Sequence, residues 1–263
     1  MRFFTPLIFL LLTNVCNAQT QTRLTETGLW AGVYLKGNFS DKIGYYGEHH
    51  LRFRNSQNNL TSFVGRTRQV YNRFGVNFLI NKHFEVVVGP TLVLNYTPQP
   101  GNPAYEKVTY EPRIWHQWLF IMPPIAHTKI YHQFRFEHRW KRSNEIGAQV
   151  NYSNRFRYKF FMYIPINKKE ITVGTLFFSP SAEIFMQQGK SIVYNPFEDF
   201  RTYNGLGYVL NRNVTFFAGH MWTIGQAASG FEYNQTHIIR LNVFIGFDLR
   251  GEKGKLPQIN IGY

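Results

Sequence analysis

The chain alternates between polar and apolar residues most clearly in residues 130–140. One parity of this segment is charged or polar and the other is apolar and aromatic: Gln133, Arg135, Glu137 and Arg139 against Ile130, Phe134, Phe136 and Trp140. Because successive side chains of a β-strand point to opposite faces, the segment predicts a strand with one charged face and one apolar face. Its length is close to the roughly 9–11 residues that a transmembrane β-strand needs.

The same alternation recurs along most of the chain, without sustained helical periodicity. The predicted strands are 28–38, 44–54, 61–80, 84–96, 108–120, 130–140, 150–164, 171–187, 197–210, 214–223 and 237–249, with 258–263 as a short candidate at the C-terminus. The sequence therefore predicts an all-β fold, an antiparallel up-and-down transmembrane β-barrel of roughly 10–12 strands. Bacterial single-chain barrels normally have an even number of strands, so ten or twelve is expected.

The predicted connections alternate in length. Short turns fall at 40–42, 81–83, 167–169 and 211–213, and longer polar stretches at 55–59, 98–107, 142–148, 188–195 and 225–234. Short periplasmic turns and longer outer loops are the usual arrangement. A first strand that starts in the periplasm at residue 28 would instead place its short turn outside. Three alternatives stay open: an extra strand near 20–27, a miscount of one, or inverted sidedness.

Residues 1–18 have the pattern of a secretory signal peptide. A charged start at Arg2 precedes an apolar run over 3–12 and a small residue, Ala18, at the expected cleavage site. The predicted organisation is thus a signal peptide, 1–18, and one outer-membrane barrel domain, 19–263. Lipidation of Cys16 is the weaker alternative, because residues 13–15 fit a lipobox poorly. Cys16 is the only cysteine, so a barrel cleaved after Ala18 would have neither a disulfide nor a thiol nucleophile.

The amino-acid composition limits the classes of partner that the protein is expected to bind. Aromatic residues make up 17% of the chain, which suits aromatic girdles at the two membrane interfaces, and the formal net charge is +14. A strong positive charge favours anionic partners, and export argues against nucleic acid as one of them. The expected partners are outer-membrane lipid including lipopolysaccharide, small anionic solutes and the barrel-assembly machinery, which would recognise the alternating residues 259, 261 and 263. No cofactor and no metal site are predicted.

Several segments together resemble a known family. They are Trp30, Arg-Phe-Gly-Val at 73–76, Glu-Pro-Arg-Ile-Trp-His-Gln at 111–117, Gln-Phe-Arg-Phe-Glu-His-Arg at 133–139 and Asn-Arg-Phe-Arg-Tyr at 154–158. In these pieces the chain resembles the domain-of-unknown-function 2490 family. The resemblance implies an uncharacterised barrel in the bacterial outer membrane and implies no activity.

Charged residues of the polar parity are predicted to face the lumen, because Arg or Lys on the lipid face costs roughly 2–4 kcal/mol at the membrane centre. The predicted lumen-facing cluster comprises Glu111, Arg113, Gln117, Arg135, Glu137, Arg139, Arg155, Arg157, Glu183 and Arg201. One hypothesis is a narrow, porin-like channel for small or anionic solutes, because arginine outnumbers glutamate in the cluster. The alternative is a closed structural or binding barrel in which interleaved ion pairs fill the lumen.

The strand parity of the histidines indicates whether they could take part in catalysis. Most histidines share the apolar face, namely His49, His116, His132, His138, His220 and His237, where packing explains them better than ligand binding. His50 lies on the polar parity, and with Ser181 and Glu183 it could form a lipid-active site. No local motif supports such an enzyme, so no catalytic residue is predicted. Arg66 and Arg68 share the apolar parity of their strand and are expected beyond the lipid or at a β-bulge.

Overall fold

In a computed structural model of the protein, which describes residues 22–192, 195–227 and 229–250, the chain is almost entirely β-structure. Alternating apolar and polar residues form the strands, and Asn, Gly, Lys and Ser residues occupy the tight turns between them. The strands are β1 (Thr22–Asn38), β2 (Ile43–Arg54), β3 (Arg66–Asn81), β4 (Phe84–Tyr96), β5 (Val108–Ile121), β6 (Lys129–Lys141), β7 (Asn151–Pro165), β8 (Leu176–Gln188), β9 (Phe197–Val209), β10 (Val214–Gln226) and β11 (Tyr233–Asp248).

The strands close into one barrel, which confirms the predicted fold. Each strand pairs antiparallel with the next along the chain, and β1 closes the ring by pairing in parallel with β11 over Thr22–Asn38. The expected even number is wrong for the residues described, which form eleven strands. β1 begins at Thr22, so residues 22–27 extend the first strand and do not form a separate one. The candidate strand 258–263 and the signal peptide lie outside the described residues.

The two ends of the barrel differ in their connections. Residues 39–42, 82–83, 122–128, 166–175 and 210–213 form the short-turn end, and residues 55–65, 97–107, 142–150, 189–196 and 227–232 form the long-loop end. β1 starts at the long-loop end and β11 stops at the short-turn end. The odd strand number thus accounts for the conflict in sidedness that the sequence raised.

Burial is inverted relative to an ordinary globular protein. Outward side chains such as Phe74, Ile80 and Ile114 are 43%, 57% and 53% exposed, whereas Arg73 and Glu137, which point inward, are each 1% exposed. Charged residues are almost never this buried unless they are paired, and large apolar residues are usually the buried ones. No helix among the described residues has the length and apolar character to span a membrane.

Two β-bulges change which side chains reach the lumen. Arg52 pairs with Gln69 and Phe53 pairs with Thr67, so Arg68 is the extra residue and turns inward to contact Glu26. A second bulge lies where Phe185 pairs with Asp199 and Met186 with Phe197. Arg68 was expected either beyond the lipid or at a β-bulge, and it lies at a bulge.

Candidate functional site

The inner wall of the barrel carries all ten predicted lumen residues. Glu111, Arg113, Gln117, Arg135, Glu137, Arg139 and Glu183 are buried, and Arg155, Arg157 and Arg201 are partly buried. They stand on β5 to β9, where alternation directs them inward while their neighbours in sequence face out. Their contacts divide them into two groups with different partners.

Glu137, on β6, is the centre of the first group. Its carboxylate accepts from four arginines on three other strands: Arg73 at 2.5 Å, Arg113 and Arg157 each at 2.9 Å, and Arg155 at 3.4 Å. A carboxylate with two oxygens can accept about four hydrogen bonds, so this one is saturated. The four contacts tie β3, β5 and β7 to β6 across the lumen.

Four more glutamates complete what we call the ion-pair network. Glu48 binds Arg73 at 2.6 Å and Arg135 at 2.7 Å, and Glu111 binds Arg113 at 2.8 Å. Glu183 binds Arg157 at 2.7 Å, and Glu198 binds both Arg139 and Arg155. The network thus comprises Arg73, Arg113, Arg135, Arg139, Arg155 and Arg157 with Glu48, Glu111, Glu137, Glu183 and Glu198. Each of these arginines has a carboxylate partner.

The second group, the cationic cluster, comprises Arg52, Lys159, Arg201, Arg240 and Asp199. Asp199 accepts from Arg201, with Nε at 2.7 Å from the carboxylate. Within the described part of the chain, no carboxylate lies within 4.0 Å of Arg52, Lys159 or Arg240. These cations contact aromatic rings and neutral acceptors in place of carboxylates.

Aromatic side chains support the cationic cluster. The Arg52 guanidinium lies 3.9 Å from the ring centroid of Trp30, and that of Arg201 lies 5.6 Å from the same ring and 4.2 Å from that of Phe185. Lys159 lies over Phe161, and Arg240 donates to the Tyr34 hydroxyl at 2.8 Å. Cation–π contacts stabilise a positive charge without neutralising it.

One cavity of about 280 Å³ connects the two groups. Its lining runs from mid-barrel residues such as His50 and Arg240 to residues near the long-loop ends of their strands, including Arg68, Lys141 and Gln226. This volume is at the lower limit of small-molecule pockets, and the charged lining is unusual for one. The cavity can therefore hold a small, hydrophilic molecule.

Aromatic residues fill the lumen on the other side of the cavity, towards the short-turn end. This aromatic layer comprises Tyr34, Tyr131, Phe161, Tyr163, Phe177, Phe217 and Phe244, all of them buried. The rings of Tyr163 on β7 and Phe217 on β10 are 5.7 Å apart, although two strands lie between them in the sheet. Their contact therefore crosses the lumen.

A glycine makes room for this layer. The ring of Phe177 packs against Phe217 at 5.0 Å, over Gly207 on the intervening strand. A Cβ at Gly207 would come within 2.2 Å of the Phe177 ring, so a larger residue there would displace the ring. On the opposite side of the lumen, Lys36 binds Glu85 at 2.8 Å, which links β1 to β4. Both observations indicate a lumen that is filled at the short-turn end.

The histidines show no catalytic arrangement in the described residues. His50 is inward and buried, 3.8 Å from Glu48, and neither of its ring nitrogens has a hydrogen-bond partner there. It therefore makes no hydrogen bond to Ser181, and Glu183 is engaged by Arg157. The outward histidines bind outward neighbours, as His220 does with His237 at 2.9 Å. Among the described residues, no three metal-binding side chains are grouped to hold a metal ion.

Several important lumen residues were absent from the predicted cluster. Glu48, Arg52, Arg73, Lys159 and Arg240 all lie on the inward parity of their own strands, so alternation alone could have found them. Glu198 could not be found in this way, because it occupies the bulge in β9. The predicted surplus of arginine over glutamate falls to one residue within the ion-pair network once Glu48 and Glu198 are included.

The family model, and it alone among the comparisons, agrees with the sequence resemblance. A solved structure described as "NanC porin structure in rhombohedral crystal form" is similar with a TM-score of 0.45 and 8% identity, over 81% of this chain and 90% of that chain. No curated protein matches the chain. The family described as "Protein of unknown function (DUF2490)" matches residues 27–235, well over half of the sequence. The chain belongs to this family of proteins of unknown function.

Proposed function

We propose that this protein is a bacterial outer-membrane barrel that binds a small anionic solute in a closed lumen. The observation that carries the proposal is the aromatic layer, which fills the lumen beside a cationic cavity. Such a barrel receives a solute from the long-loop end and holds it, and does not pass it through.

The outer surface supports the membrane location. Large apolar side chains such as Phe74, Ile114 and Leu241 are exposed there, and a transmembrane barrel has an apolar band on its outer face. In water, such a continuous apolar surface would drive aggregation or association. Aromatic and histidine side chains on the same face, including Trp118 and His116, suit the interfacial region of a bilayer. Lipid, including lipopolysaccharide, is therefore the partner of the outer face.

The lumen supports binding more than conduction. The channel hypothesis assigns selectivity to Arg113, Arg135, Arg139, Arg155 and Arg157, but each of these contacts a carboxylate. Paired guanidinium groups present little net charge to a passing ion. A channel stays the second candidate because the cationic cluster would attract anions, and it requires the aromatic layer to open.

Single-channel recording in planar bilayers tests closure directly. We expect the refolded wild-type protein to be silent, because rings from β7, β8 and β10 pack against each other inside the lumen. The combined substitutions Tyr163→Ala, Phe177→Ala and Phe217→Ala remove the central rings of the layer, and we expect them to produce conductance with anion preference.

The matched control is Phe216→Ala, which removes an adjacent ring that is 44% exposed on the outer face. This variant should stay silent. Anion-selective conductance of the wild-type protein would overturn the closed barrel in favour of the channel.

A further inference from the structure

The cationic cluster has more positive charge than its surroundings neutralise. Of the cations that line the cavity, Arg52, Lys159, Arg201 and Arg240 have one carboxylate within ion-pair distance, Asp199, and it binds Arg201. Glu183 stands opposite Lys159 and Arg201 in the sheet, but its ion pair is with Arg157. Bringing cations this close together costs free energy unless an anion joins them. The ion-pair network shows that the same fold can place a glutamate beside nearly every arginine. The missing negative charge is therefore a local property of the cluster.

Donor groups of the cluster are available to a ligand. Among the described residues, Nη2 of Arg52, Nη1 of Arg201 and Nζ of Lys159 donate to no acceptor, although other atoms of both arginines do. Arg52 is fixed by Gln69 at 3.0 Å and by the Trp30 ring, so its free edge is oriented before a ligand arrives. A guanidinium stacked on an aromatic face keeps the N–H groups at its edge free for oxygen acceptors.

From this arrangement we infer that the cationic cluster is a binding site for a soluble, polyvalent oxyanion. This inference rests on the proposed solute pocket and names its ligand class. Phosphate and dicarboxylate ions have the required chemistry, because they present several oxygens and at least two negative charges to several donors at once. The small cavity volume favours ions of this size over oligosaccharides.

The ligand reaches the site from solution and not from the bilayer. The strands form a closed ring, so the barrel wall separates the cluster from the surrounding lipid. Access from the long-loop end passes Arg68 and Lys141, two further cations of the cavity lining. Such a charged entrance raises the local concentration of anions.

Isothermal titration calorimetry of the full chain, refolded in an uncharged detergent, tests the site. Inorganic phosphate and malonate are titrated separately near neutral pH and low salt. We expect one ion to bind per barrel, with affinity that falls as sodium chloride is added. We expect Arg52→Gln and Lys159→Met each to weaken binding about tenfold or more, because each removes a charged donor.

Arg139→Gln is the matched control. It removes one positive charge from the lumen wall, but Arg139 belongs to the network and its partner Glu198 keeps Arg155. We expect this variant to bind like the wild type. Equal weakening by all three substitutions would show a general attraction by the lumen and overturn the site. If Arg52→Gln does not fold, the affinity of Lys159→Met compared with that of Arg139→Gln tests the site.

The outcomes separate this inference from the closed barrel. A wild-type protein that is silent in bilayers and binds neither phosphate nor malonate would overturn the oxyanion site and keep the closed lumen. A conducting protein whose binding depends on Arg52 and Lys159 would keep the site and overturn closure.

Discussion

The ion-pair network and the cationic cluster both contain arginines of the inner wall, but the arginines of the two groups have different partners. In the network, Glu137 alone contacts four arginines, and the charges cross-link strands around the barrel. In the cluster, Asp199 binds Arg201, and aromatic rings contact Arg52, Lys159 and Arg240, which have no carboxylate within ion-pair distance among the described residues. Both groups line one cavity. An arginine of the lumen that binds a carboxylate has a structural role. An arginine that contacts an aromatic ring instead keeps its charge available for binding.

The largest effect is expected where the network is most connected. Glu137→Ala leaves Arg73, Arg113, Arg155 and Arg157 facing each other in a buried space. Loss of one partner from a buried ion pair costs about 3–5 kcal/mol, so we expect a loss at the upper end of that range. Urea unfolding of the barrel, followed by its change in mobility on unheated gels, measures the difference.

The outward Ile114→Ala, on the adjacent strand, is the control for this experiment. It trims an exposed side chain of the outer face and leaves every lumen charge in place. A Glu137→Ala barrel that unfolds no more easily than Ile114→Ala would refute a stabilising role for the network.

Two cations on β7 allow a sharper comparison. Arg157 and Lys159 both face the lumen two residues apart, but Arg157 binds Glu137 and Glu183, whereas Lys159 lies over the Phe161 ring. We expect Arg157→Met to lower the free energy of unfolding by about 2–3 kcal/mol, because it removes charged hydrogen bonds. Lys159→Met should stay within about 1 kcal/mol of the wild type, because it also relieves repulsion. Equal losses of unfolding free energy in Arg157→Met and Lys159→Met would show that the network and the cluster contribute alike to stability.

The smallest effect is expected at an ion pair outside the lumen. Arg142 makes two hydrogen bonds to Glu106, at 2.7 and 2.6 Å, and so joins two loops at the long-loop end. These bonds lower the pKa of Glu106 below its ordinary value of 4.5. The contribution of the pair is complete above that ordinary value and is lost as pH falls through the lowered pKa.

An NMR titration of the Glu106 carboxyl group checks this prediction. We expect its midpoint to lie below that of the same group in Arg142→Gln, while both barrels unfold at the same urea concentration. A surface pair contributes little to global stability. A large loss of barrel stability in Arg142→Gln would show that exposed pairs matter as much as the network.

Alternation along the sequence was sufficient to predict the fold and the inner wall. Residues 84–96 were predicted to their ends as β4, and the other strands differ mainly at their termini. Period-two alternation encodes which face a side chain occupies, so Arg135, Glu137 and Arg139 could be placed on the inner wall from the sequence. Their binding or selectivity role stays a prediction.

Three features depended on information that a single sequence does not carry. Bulges place Arg68 and Glu198 in the lumen against their parity, and they depend on the register between two strands. The partner of each arginine depends on which strands meet across the lumen. The aromatic layer was missed although Phe161 and Tyr163 share the inward parity of Arg157. Aromatic residues were expected at membrane interfaces, and many instead fill the lumen.

The parallel pairing of β1 with β11 determines at which mouths of the barrel these two strands begin and end. A ring made of antiparallel pairs alone needs an even number of crossings, and both chain ends then leave on the same side. Among the described residues, β1 starts at one mouth of the barrel and β11 stops at the other. Eleven strands cannot be divided into hairpins of two strands each. A label placed directly before β1 and a label placed directly after β11 would therefore lie on opposite sides of the barrel.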